Sequence, residues 1–219
     1  MANYEVAPEL LEDRLPRGTS LDYHEGKLFV SLVGFMFLDT RVLGVPVPFH
    51  INFEEVNLRF YVKRETASET RRGVCFVKEI VPRYAIATVA RVLYGEPYEC
   101  WRMTHTKTER EVGYGWQKNG SVNNLTVEID QDLGVPAPDS HGEFIIEHYW
   151  GYTKRGDARC DEYKVEHPKW ELFSVKNERI NVDFGTTYGE KFAFLNDEKP
   201  FSILLAKGSE IAVYKGEKL

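Results

Sequence analysis

The stretch FEEVNLRFYV, residues 53–62, decides the fold class. Val56, Leu58, Phe60 and Val62 fall on one face and Glu55, Asn57, Arg59 and Tyr61 on the other, because successive side chains of a strand point to opposite sides. An unbroken period of two is incompatible with an amphipathic helix, whose apolar residues recur at three and four. A charged turn, Glu65–Arg72, leads to a second strand, Gly73–Ile80, and the two read as a hairpin with a long loop.

Working outward, GKLFVSLVGFMFL (Gly26–Leu38) is apolar on both alternating faces, the pattern of a central strand covered on both sides. Pro8–Leu15 reads as a short helix with Pro in its first turn and Pro16 as its stop. Pro82–Tyr94 places Ile86, Val89, Ala90 and Leu93 at helical spacing and ends at Gly95 and Pro97. Strands are expected over Tyr98–His105, Val112–Gln117, Asn124–Asp130, Glu143–Tyr152, Cys160–Glu166 and Glu171–Asn181. A helix near Tyr188–Leu195 then precedes the short strands Ser202–Ala206 and Ser209–Tyr214. Runs of strands with two or three short helices predict a single α+β domain over residues 1–219, mostly antiparallel β and compatible with a barrel, rather than a doubly wound sheet.

The 28 basic and 34 acidic side chains among 219 residues give a net charge of −6, and no segregated basic face is visible. A general nucleic-acid binder, which draws its affinity from Lys and Arg on phosphates, is excluded. A globule of this length buries roughly 70–75% of its unfolded surface, so it needs no covalent staples. Cys75, Cys100 and Cys160 are isolated singletons, as expected of reduced thiols. No apolar run approaches the ~18 residues of a membrane span, and MANYEVAPELLEDRL carries acids where a signal peptide carries bases. A cytoplasmic protein without a membrane partner is expected. P-loop, GxGxxG, GxSxG, HExxH and paired-cysteine spacings are all missing, so no cofactor and no metal are expected.

The polar face Glu55, Asn57, Arg59, Tyr61 has two readings. It lies against solvent, as one face of an antiparallel sheet commonly does, or it looks into a cavity, as in a barrel with a wet or ligand-filled lumen. Lys78 and Glu79 sit on opposite faces of the next strand, so only one of them shares a side with Arg59. Lys78 reads as a surface lysine. Tyr149 and Trp150, and HPKW (His167–Trp170), read as core packing and a strand-to-strand loop.

LPRGTSLDYHEGKLFVSLVGFMF, FEEVNLRFYV, RGVCFVKEIVP with ARVLYG, HPKW and SILLAKGSEIAVYKG, in that order, resemble the uncharacterised YqjF-like proteins, a domain of unknown function. The resemblance covers nearly the whole chain. That family is in turn distantly similar to acetoacetate decarboxylase, which implies a mostly antiparallel, cone-shaped barrel with an internal cavity. It also implies that Glu55, Asn57 and Arg59 face that cavity. The decarboxylase motif has a helix with an Arg leading to a Pro and two lysines, the first of which forms the Schiff base. In ARVLYGEPYECW, Arg91 and Pro97 match, whereas Tyr98 and Glu99 stand where the lysines would be. A phenol forms no imine, and Glu99 removes the neighbouring positive charge, so the imine mechanism is not expected to transfer.

The leading expectation is therefore a barrel that binds a small carbonyl- or carboxylate-bearing molecule. Arg59 would anchor the anion, Glu55 and Tyr98 would be the hydrogen-bonding or acid-base groups, and Trp150 an apolar wall. Asn57, Tyr61, Arg91 and Glu99 complete the candidate set. Two alternatives remain: an imine-independent acid-base enzyme in the same pocket, and a non-catalytic module whose interior is filled by Tyr61, Tyr98 and Trp150, with Glu55 paired to Arg59. A homo-oligomer is left open.

Overall fold

The computed structural model describes residues 1–42, 45–46, 51–214 and 216–219. In chain order the main elements are β1 (Ala2–Glu5), β2 (Phe29–Phe37), β3 (Phe53–Glu65), β4 (Thr70–Val81), α1 (Tyr84–Val89), β5 (Tyr98–Cys100), β6 (Arg102–Lys107), β7 (Glu111–Lys118), β8 (Ser121–Gly134), α2 (His141–Ile146), β9 (Trp150–Lys154), β10 (Cys160–Glu166), β11 (Leu172–Asn181) and α3 (Phe184–Tyr188). Two-residue strands near the C-terminus extend the sheets at their edges.

The hairpin β3–β4 is the spine of the larger sheet. Its order runs Ser202–Ile203, β1, β2, β3, β4, β9, β10, Ala212–Val213, with β5 paired to β4 as well. Neighbours are antiparallel except at β4–β9 and β4–β5. The smaller sheet runs Leu205–Ala206, β11, β8, β7, β6. Apolar-on-both-faces β2 is interior, as its sequence predicts, with β1 on one side and β3 on the other.

The apolar face of β3 carries the core. Val56, Leu58, Phe60 and Val62 are all at 0% exposure and belong to one apolar cluster with Trp116 of β7, Leu125 of β8 and Phe184 of α3. The polar face is buried too: Glu55 is 1% and Asn57 2% exposed. The solvated reading of that face is thus excluded. A register shift at Leu58/Arg59 places Leu58 opposite Lys78 and Arg59 opposite Phe76, a bulge that leaves Val77 of β4 without a cross-strand partner on β3.

Several expected elements change on folding. The hairpin loop shrinks to Thr66–Glu69, with Thr66 N donating to the Glu69 carbonyl at 2.9 Å, because both strands extend through the charged residues. Pro8–Leu15 forms two 3₁₀ turns. The helix after Pro82 is α only over Tyr84–Val89 and continues as a π turn over Ala90–Tyr94, closed by Gly95 at φ 66°. The left-handed φ favours glycine there, and a Cβ would also have to displace the Arg155 guanidinium, the movable end of a long side chain. The expected strand Glu143–Tyr152 is corrected: residues His141–Ile146 are helical and only Trp150 onward is strand. Ser140 Oγ accepts from Glu143 N at 3.2 Å while Glu143 Oε2 accepts from Asp139 N at 2.7 Å, a reciprocal cap that starts a helix despite the apolar run behind it.

Candidate functional site

Three strands of the larger sheet bring a set of carboxyls and a phenol together. Asn57 of β3 stands opposite Glu79 of β4, and Glu79 stands opposite Tyr98 of β5 in the parallel pair. Glu55, two residues before Asn57, accepts from Asn57 Nδ2 at 2.9 Å through Oε1 and from the Tyr98 hydroxyl at 2.8 Å through Oε2. Burial pushes the Glu55 carboxyl up to about 7, against these two hydrogen bonds and the positive charge of Arg59.

Glu79 is 2% exposed and its Oε2 has no hydrogen-bond partner. Burial, then the charges of Glu96 and Glu55, hold its carboxyl well above the usual carboxylate range. Glu96, also buried, accepts from Thr153 Oγ1 at 2.6 Å. Burial pushes Glu96 up to about 7, opposed by hydrogen bonds from Thr153 and Tyr163 and by Arg155. Burial and the Glu55 and Glu79 carboxyls drive the Tyr98 phenol well up, so it stays a donor at neutral pH. Like charges crowded in a dry interior cannot all ionise, and this cluster therefore holds protons at neutral pH that exposed glutamates would have lost.

The other candidate residues lie around or apart from this cluster. Arg59 is half-buried; its Nη2 donates to the Ile145 carbonyl at 3.1 Å, its guanidinium lies 5.6 Å from the Tyr61 ring centroid, and its Nε has no partner. Tyr61, fully buried, shares a 2.6 Å hydrogen bond with Ser31 Oγ. Glu99 points away from Tyr98, as strand alternation requires, and meets Lys78 at 2.8 Å and Lys118 at 2.9 Å. Against the cost of its partial burial, hydrogen bonds from Lys118, Lys78 and Trp101 hold the Glu99 carboxyl down at about 2. Lys78 is thereby engaged on the side opposite Glu79. Arg91 is exposed on the π turn, 3.5 Å from Thr88 Oγ1. Trp150 is half-buried under Arg71, whose guanidinium lies 4.1 Å from its ring centroid, and lines an open groove of about 620 Å³ with Tyr149, Arg71 and Arg72.

The structure thus joins Glu55, Asn57 and Tyr98, keeps Arg59 and Tyr61 further along the same strand face, and does not bring Arg91, Glu99 or Trp150 to them. Sequence reasoning left out Glu79 and Glu96. Cross-strand register was the available signal for Glu79: the hairpin puts it beside Asn57. Nothing local marks Glu96, which reaches the cluster through the Gly95 turn. Among the described residues no group of His, Cys, Asp and Glu is arranged to hold a metal ion. No described helix is long and apolar enough to cross a membrane.

This architecture is that of acetoacetate decarboxylase-like proteins. Acetoacetate decarboxylase from Legionella pneumophila superposes with a TM-score of 0.67 at 10% identity, over 100% of this chain and 82% of that one. The enduracididine biosynthesis enzyme MppR gives 0.61 at 11% identity over 99% and 80%. An acetoacetate decarboxylase-like enzyme from Sphingomonas wittichii RW1 gives 0.59 at 14% identity over 99% and 85%. No curated protein matches the sequence. The family model of DUF2071, uncharacterized conserved protein (COG2071), matches residues 1–210, and the chain belongs to that family.

Proposed function

We propose that the polar face of β3 binds a small oxo acid without forming an imine. Arg59 takes the ligand's carboxylate, and its carbonyl oxygen accepts from the protonated Glu79 and from the Tyr98 hydroxyl, which turns to the ligand from Glu55 on binding. The supporting observation is the Tyr98–Glu55 hydrogen bond of 2.8 Å, on a carboxyl only 1% exposed and pushed up to about 7. Buried acids of this kind cost stability and cluster at functional sites. Arg59 supports the anion anchor, since among the described residues its polar contacts are the Ile145 carbonyl and the Met1 sulfur rather than a carboxylate.

A carboxyl poised near neutrality is also fit for proton transfer. With an enolisable ligand, Glu55 would take the proton α to the carbonyl while Tyr98 or the protonated Glu79 donates to the developing oxyanion. The enolate is thus stabilised by neutral donors, where the decarboxylase motif would use a lysine. Of the similar structures, MppR is known complexed with pyruvate, which makes pyruvate a reasonable first ligand.

Thermal-shift and calorimetric titration with pyruvate and acetoacetate test the reading. Stabilisation of the parent, lost in Arg59→Ala and weakened in Tyr98→Phe, is the expected result. No stabilisation by either acid, or an Arg59→Ala variant that responds like the parent, overturns it.

A further inference from the structure

A chain of five side chains connects the buried end of β3 to α2. Tyr61 OH and Ser31 Oγ are 2.6 Å apart; Ser31 Oγ donates to Asn3 Oδ1 at 2.6 Å; Asn3 Nδ2 donates to Ser202 Oγ at 2.8 Å; and Ser202 Oγ lies 2.7 Å from His141 Nε2. Asn3 and Ser31 are at 0% exposure, so water does not substitute for any link between them.

Donor and acceptor counting fixes the direction of the links from Tyr61 to Ser202, and the last one follows the His141 tautomer. Ser31 spends its proton on Asn3, so Tyr61 must donate to Ser31. Asn3 donates to Ser202, so the Ser202 proton is free to go to His141 Nε2. The neutral imidazole then carries its hydrogen on Nδ1, which has no partner in the structure; the tautomer is set from the Ser202 side alone. The orientation is reinforced by a longer Asn3 Nδ2 contact to the Ser202 carbonyl, 3.4 Å.

When His141 gains a proton, Nε2 becomes a donor and the last link cannot persist as it stands. One movement restores the chain: a 180° flip of the Asn3 amide. After it, Nε2–H donates to Ser202, Ser202 to Asn3 Oδ1, Asn3 Nδ2 to Ser31, and Ser31 to the Tyr61 oxygen. Every arrow reverses with only Asn3 Oδ1 and Nδ2 exchanging places among the heavy atoms, and the Tyr61 hydroxyl proton turns away from Ser31. We propose that this chain is a two-state relay, with the Asn3 amide as its pivot, through which His141 sets the hydrogen-bonding state of Tyr61. His141 is then a positioning residue for the Tyr61 ring and for the Arg59 guanidinium lying over it.

The groups facing His141 are few. His24, in the turn before β2, has its ring centroid 5.6 Å away, and Glu25 follows it. From β2 comes Phe29 at 4.9 Å, from the C-terminal segment Phe201 at 5.1 Å, with Lys27 over the Phe201 ring at 4.7 Å. Glu143 lies on the same helix and is paired to Lys169 at 2.9 Å. Burial and then His24 hold His141 below its ordinary value, against Glu25, so the arrangement in the structure is the neutral-pH one and the reversed one belongs to acid. The relay does not depend on any ligand, and its test is separate from that of the oxo-acid reading.

The experiment is NMR of the intact protein labelled on histidine ring nitrogens and tyrosine Cζ. The relay predicts that neutral His141 carries hydrogen on Nδ1 and that the Tyr61 Cζ signal moves with the His141 titration. In Asn3→Ala the Tyr61 response disappears while His141 still titrates; Ser31→Ala gives the same uncoupling if the first variant does not fold. A hydrogen on Nε2 of neutral His141, a Tyr61 signal blind to its titration, or a response that survives either break overturns the proposal.

Discussion

Tyr98 donates to Glu55 Oε2 at 2.8 Å from a strand position that pairs it with Glu79, so one phenol stands between two buried carboxyls. Its own proton goes to Glu55. Glu79 then meets the interior with an unpartnered oxygen, and the lowest-cost state for that oxygen is protonated.

Stability should fall as the pH rises through this cluster. Burial lifts Glu55 and Glu96 from 4.5 to about 7, so between those values the folded chain holds more protons than the unfolded one, and by linkage its stability declines with pH. One such group contributes up to roughly 3 kcal/mol of that decline. Urea unfolding from pH 5 to pH 8 should show the loss, and Glu55→Gln should flatten it. The amide can be accommodated because Asn57 Oδ1 has no partner and turns to accept from it. A stability that rises over this range, or a slope unchanged in Glu55→Gln, contradicts the assignment.

Removing the start of α2 tests the correction made there. Ser140→Ala deletes the acceptor of the Glu143 N–H and should lower stability by about 1 kcal/mol, measured by the shift in urea midpoint at constant slope. A midpoint equal to the parent's would mean that the helix does not rely on this cap.

Gly151 leaves room for the Tyr163 ring, its cross-strand partner; a Cβ there would collide with the ring atoms. Gly151→Ala should displace Tyr163, cost about 1–3 kcal/mol by overpacking, and raise Glu96 further by removing the phenol hydrogen bond that opposes its burial. The measurement is the steepness of the decline in stability above pH 6, which should exceed the parent's.

Much of the fold was legible before any coordinates. The two-residue period of Phe53–Val62, the doubly apolar Gly26–Leu38 and the strand Cys160–Glu166 report their own geometry, because alternation depends only on which face is buried. The Glu143–Tyr152 error arose because FII reads equally well as buried strand or buried helix; the deciding signal, Ser140 with Glu143 three residues on, stood just upstream. The site was legible where it is local, Glu55 and Asn57 on one face, and at Tyr98, which the family resemblance pointed to. Glu79 and Glu96 depend on cross-strand register and on a glycine turn. Arg91 matched a motif, yet it sits on a π turn with its side chain in solvent. Motif position carries no information about the direction a turn imposes.

The central claim is that a carbonyl is held by Tyr98 and Glu79 and stays a ketone. Isotope-edited infrared spectroscopy of pyruvate labelled at its keto carbon, mixed with the protein at neutral pH, reads this directly. The account predicts a bound ketone band shifted to lower frequency by the donors, with the shift reduced in Tyr98→Phe, and no mass adduct after borohydride. An imine band with a trapped adduct, or no bound ketone band at all, contradicts it.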